Sequence, residues 1–140
     1  MSTLYWFNTG FDVQFAGPVS ARFRSRIELM TFLGVMVANA GDAVLVSGAI
    51  NRDWLKFLRG QGLPLPRLVH EDELAGCTGV ECFVPWGWNA QAVEFMAKAG
   101  LDHSYPSLDV VRRVNSRVYH GEIRDRYGCR LKSWPYRGAD

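Results

Sequence analysis

Apolar residues in this chain gather in short unbroken runs set between longer mixed stretches. Leu4-Tyr5-Trp6-Phe7, closed by Asn8, is the first run, and Ala43-Val44-Leu45-Val46, closed by Ser47-Gly48, is the second. Val80-Glu81-Cys82-Phe83-Val84 is the third, and Arg67-Leu68-Val69-His70 is a shorter candidate. Near-continuous apolar strands are what a parallel sheet covered on both faces requires. Between the runs the pattern turns helical. Ser20 predicts a helix N-cap, with the helix starting at Ala21. Phe23, Ile27, Met30, Phe32, Leu33, Val35, Met36 and Val37 cover more than one face of it. That spread predicts a helix largely buried beyond its first turns and ended by Gly41. Arg22, Arg24 and Arg26 keep its start in water.

Asn51 predicts the cap of a short helix with Trp54, Leu55 and Leu58 on one side. Leu63-Pro64-Leu65-Pro66 is a connector, because neither proline fits a helix interior. Glu71 to Leu74 predicts a turn or a short helical start. Asn89 caps a helix carrying Val93, Phe95 and Met96, and Gly100 closes it. After a loop from His103 to Ser107, Leu108 to Val114 carries the stripe Val110, Val111 and Val114. Ser116 caps a final helix to about Tyr127, stopped by Gly128. Strands and helices alternating in this way predict an α/β fold. The expected architecture is a three-layer α/β/α sandwich with a small, mostly parallel, Rossmann-like sheet. Residues 1–128 form the domain. Residues 129–140 lack periodicity and read as a tail or as the truncated start of a following domain.

Composition narrows this little. At 140 residues the length fits one domain with a proper core. A hydrophobic fraction of 48% with 21% charged residues excludes a disordered chain. The net charge of +2 is small but uneven. From Arg112 to Asp140 there are eight Lys or Arg against three Asp or Glu. Such a segment suits phosphate or nucleic acid, while a solvated helical face is the plainer reading. Cys77, Cys82 and Cys129 form no CxxC pair, which argues against a disulfide framework and against zinc. No basic segment followed by an apolar one marks a signal peptide, and Leu29 to Ala40 falls short of the roughly 20 residues of a membrane span. The expectation is a cytoplasmic protein without a membrane partner.

Candidate chemistry is sparse. No GxGxxG follows the first strand, no GxxxxGK[ST] occurs, and Ser47-Gly48 is not a GxSxG elbow. His70, His103 and His120 are isolated from one another. His70 precedes Glu71, Asp72 and Glu73, a pattern read as a solvated acidic turn rather than a metal site. Trp86 and Trp88 flank Gly87 at the exit of the third run. In a doubly wound fold that exit lies on the carboxyl edge, where ligands bind. Asn8 and the stretch from Gly48 to Asn51 reach the same edge. Asn8, Asn51 and Trp86 therefore form the expected pocket rim, with Trp88 packing the following helix. Core or interface anchoring is the plain alternative for both tryptophans. No nucleophile, base and oxyanion donor can be assembled from these positions, so no catalytic and no metal residue is assigned.

Two stretches carry a resemblance. Val84-Pro85-Trp86-Gly87-Trp88, and Pro106 to Gly128 with its Asn115-Ser116-Arg117 turn, are similar to the N-terminal pre-ATP-grasp domain of ATP-grasp ligases, in the peptide-ligase-related branch. In that family a proline-led helix precedes an Asn-Ser/Asp-Lys/Arg turn, and the next helix ends at a glycine leading into the ATP-binding module. The first half of the chain agrees in the order of its elements. The resemblance implies a Rossmann-like, non-catalytic domain that supplies part of the substrate pocket to an ATP-dependent carboxylate–amine ligase. Asn115 and Arg117 then join Asn8, Asn51, Trp86 and Trp88 as substrate-site candidates. ATP and Mg would be held by the intact ligase and not by this chain. The implied partner is an ATP-grasp domain or partner subunit. A free-standing small α/β protein that binds a small ligand or a partner chain, and self-associates through an apolar helix, is the alternative. Nucleic-acid binding through Arg112, Arg113, Arg117, Arg124 and Arg126 is the least favoured reading.

Overall fold

Four short strands form one all-parallel sheet in a computed structural model that describes residues 2–11 and 20–128. They are β1 (Thr3–Trp6), β2 (Ala43–Leu45), β3 (Arg67–Val69) and β4 (Cys82–Pro85). The spatial order is β3-β2-β1-β4. The helices are α1 (Ala21–Met30), α2 (Arg52–Gly60), α3 (Ala90–Lys98), α4 (Leu108–Val114) and α5 (Arg117–Tyr127). Two 3₁₀ segments, Thr31–Met36 and Glu71–Gly76, complete the regular structure.

Period-two alternation divides the apolar runs between two cores. On one face Leu4, Trp6, Ala43, Leu45, Val69 and Phe83 pack with Ala92, Phe95 and Met96 of α3 and with Leu74. On the other, Val44 and Val46 pack with Ala38, backed by Tyr5, Phe32, Ile50 and Leu68. The sheet is thus covered on both sides, as its continuous apolar strands demand. Four helices start where their caps predict. Ser20, Asn51, Asn89 and Ser116 each accept a bond from the backbone N–H three residues on.

The long buried helix expected from Ala21 to Gly41 does not form. The α-helix stops at Met30 and tightens into 3₁₀ as far as Met36. Thr31 is the local cause. Its hydroxyl donates back to the Glu28 carbonyl at 2.6 Å and accepts from the Ser47 N–H at 3.1 Å. A side chain bonded this way competes with the helical ladder. Gly34 then lies so close to β2 that an added Cβ would stand 2.6 Å from Val44 Cγ1. The burial also differs from expectation. Thr31, Gly34 and Val35 turn inward, while Leu29, Met30, Leu33, Met36 and Val37 stay exposed.

The strand path sets the switch point of the sheet. β1, β2 and β3 step outward in one direction, and the chain then returns past β1 to add β4 on its far side. The reversal separates the connections leaving β1 and β4, and the crevice outside their carboxyl ends is the usual ligand position. α4 and α5 pack chiefly on each other, and α4 buries no residue. Residues 12–19 and 129–140, including Cys129 and the expected tail, lie outside the described residues. Among the described residues no helix is long and apolar enough to cross a membrane.

Candidate functional site

β1 delivers Asn8 to the switch point, and both ends of the Asn8 amide bond there. Its Nδ2 donates to the Gly87 carbonyl at 2.7 Å, and its Oδ1 accepts from the Gly87 N–H at 3.0 Å. Asn8 is 4% exposed, so this two-bond clip between the ends of β1 and β4 is dry. Two glycines make the edge close enough to clip. A Cβ on Gly87 would overlap the Phe11 ring, and one on Gly10 would overlap the Ile27 side chain.

Beside the clip opens a cavity of about 470 Å³. Trp6, Phe11 and Ile27 give it an apolar wall, and Asn8, Arg24, Glu28, Thr31, Ser47, Glu71 and Gln91 bring polar groups to it. Arg24 and Glu28 stand one turn apart on α1, yet neither forms an ion pair among the described residues. Trp6 is 4% exposed, and its indole N–H has no hydrogen-bond partner there. A buried donor left alone costs about 1–3 kcal/mol, and native proteins hold few of them.

A second hollow of about 440 Å³ shares Ser47, Glu71 and Gln91 with the first and continues across the ends of β2 and β3. Lys98 bridges its rim, 3.1 Å from Glu94 and 3.1 Å from Glu71. Those two carboxylates, Glu94 first, hold the Lys98 ammonium above its ordinary range. Ser47 and His70 line this hollow without a hydrogen bond between them, so no nucleophile–base pair is set up. Among the described residues no group of three His, Cys, Asp or Glu side chains could hold a metal ion.

The expected rim is divided by the structure. Asn8 lines the cavity. Trp86, 59% exposed, lays its ring 5.3 Å from Phe7 and is not in the cavity wall. Trp88 packs on Phe83 and stacks on Tyr105 at 5.2 Å, as a packing residue does. Asn51 caps α2 at the mouth of a separate apolar groove. Asn115 follows α4 and donates to the Val111 carbonyl at 2.9 Å. Arg117 opens α5, and its side chain lies outside the described part of the structure. Sequence reasoning missed Trp6, Arg24, Glu28 and Gln91. Arg24 and Glu28 left a faint signal, since Arg one turn before Glu is the weaker order for a helix pair. Nothing in the sequence marks Trp6 as a donor without a partner.

Comparison with protein-family models, with curated proteins and with solved structures gives no match for this chain.

Proposed function

We propose that this chain is a non-catalytic binding domain that seats a small zwitterion on the carboxyl edge of its sheet. The carrying observation is a cavity that brings Arg24 and Glu28 beside the side chain of Trp6, whose buried indole N–H has no hydrogen-bond partner among the described residues. An acceptor on a ligand that reaches Trp6 supplies the partner missing among the described residues. Arg24 suits a carboxylate, with several donors in a planar fork. Glu28 suits an ammonium, Glu71 on the same wall being engaged by Lys98. Trp6, Phe11 and Ile27 cover the carbon skeleton between the two charges. A carboxylate or an amine alone satisfies half of this set.

Calorimetric titration with L-alanine and γ-aminobutyrate, against acetate and methylamine, tests the reading. One zwitterion is expected to bind at least tenfold more tightly than either single-charge compound. Trp6→Phe keeps an aromatic side chain, removes the N–H and should weaken binding about fivefold, in line with one hydrogen bond. No preference for either zwitterion at millimolar concentration overturns the proposal.

A second reading sets this binding domain at the front of an ATP-dependent carboxylate–amine ligase. It is supported by α4 and α5, which expose Val110, Val114, Val118 and Tyr127. Apolar side chains on a helix pair this shallowly buried suit a neighbouring domain. ATP and Mg then belong to that neighbour, and the cavity contributes the substrate pocket.

A further inference from the structure

We propose that a groove on the opposite side of α1 receives the apolar face of an acid-flanked amphipathic helix from another protein. The groove runs between the α1–3₁₀ segment and α2, with a volume of about 610 Å³. Leu29, Met30, Leu33 and Met36 form one wall, and Trp54 stands in the other. Phe32 meets Trp54 edge to face at 5.9 Å and closes the floor. Leu29 is 68% exposed and Met36 64% exposed, so the apolar wall stands open. Among the described residues no charged side chain lines the groove.

Shape and charge together select the occupant. A concave apolar channel between two helical segments accepts side chains spaced i, i+3/i+4, i+7 from an incoming helix. Charge lies at one end. Arg26 precedes Leu29 by three residues and Met30 by four, and Arg22 lies one turn before Arg26, so both continue the stripe of the groove wall. The carboxylate of α1, Glu28, faces the ligand cavity instead. On α2 the first-turn acid is Asp53, and it is absent from the groove lining. The groove therefore ends on basic groups, and an occupant with Glu or Asp one turn beyond its apolar stripe satisfies them. A second copy docked through the same stripe would set Arg22 and Arg26 against their own like charges. A bilayer surface needs a convex apolar face, whereas this one is a channel.

The test uses the full chain and two synthetic helical peptides. Both carry Leu at i, i+3/i+4 and i+7. One is flanked by Glu and the other by Lys. Binding is read by fluorescence anisotropy, with circular dichroism confirming that each variant is folded. The Glu-flanked peptide should bind at least tenfold more tightly than the Lys-flanked one. Met36→Glu, at an open position, should abolish binding. Arg22→Glu with Arg26→Glu should reverse the preference. Equal affinity for the two peptides, or binding of neither, overturns the proposal. So does concentration-dependent dimerisation lost in Leu33→Glu, which assigns the groove to a second copy. Binding to phosphatidylserine vesicles but to neither peptide assigns it to a lipid surface and also overturns it.

Discussion

Two buried polar side chains, Asn8 and Asp42, do the joining that the backbone of this small sheet leaves undone. Asn8 ties β1 to the exit of β4 across 79 positions of sequence. Asp42 performs the same service at the other end of β1. It accepts from the Thr3 N–H at 2.9 Å and from the Asn39 N–H at 2.9 Å, with the Asn39 amide adding a third bond. Those donors, Asn39 first and Thr3 next, hold the Asp42 carboxyl below its ordinary range against the opposing effect of burial. A lowered folded-state pKa stabilises the fold above the unfolded value, near 4, and that stability is lost as pH falls through the folded value. Thermal melts from pH 7 to pH 3 should therefore show an acid-side loss of stability, and Asp42→Asn should flatten it. At pH 7 the same substitution should cost about 1–3 kcal/mol, as expected for bonds to a charged acceptor. An unchanged acid limb in Asp42→Asn would refute this assignment. Sequence reasoning places Asn8 at the edge because a strand run ends there. It could not place Gly87 opposite, since that pairing depends on the sheet order.

Helix starts were legible at the level of elements, because a cap acts over three residues. The end of α1 was not legible, because Thr31 is held from Ser47, sixteen positions away. The apolar count around α1 predicts burial, yet Phe23, Met30, Leu33, Met36 and Val37 are exposed. β4 is an edge strand among the described residues, and it is guarded at two points. The Trp86 N–H bonds to the Trp6 carbonyl, so in the parallel register Phe83 and Pro85 address the free edge. The His103 ring meets the Phe83 carbonyl at 3.2 Å, and Pro85 has no N–H to offer. Blocked edge groups of this kind discourage pairing between molecules. His103→Ala combined with Pro85→Val should restore a pairing edge and raise light scattering at micromolar concentration. Scattering that matches the parent protein would show that the edge needs no guard.

For the whole molecule, the α/β class and the parallel sheet followed from continuous apolar runs, and both faces are covered as such runs require. The candidate site was half legible. Its edge was expected, but its occupants were not, because Arg24 and Glu28 come from α1 rather than from strand exits. If the molecule is a binding domain that relies on a neighbour for chemistry, the chain should release no ADP from ATP with any amino acid present. Chain-dependent ADP release in a coupled assay would contradict that. The position of β1 has a further consequence, for the timing of synthesis. Of the four strands the first to leave the ribosome is an inner one, and its second partner is β4, made about 80 residues later. At a typical 5–20 residues per second, Leu4-Tyr5-Trp6-Phe7 waits on the order of 4–16 s with one flank unpaired. During that interval the nascent chain offers its most aromatic strand to any other open edge. Dependence on a holding chaperone would then be set by how quickly β4 arrives, and slowing translation between Gly48 and Gly79 should lower the soluble yield without altering the finished fold.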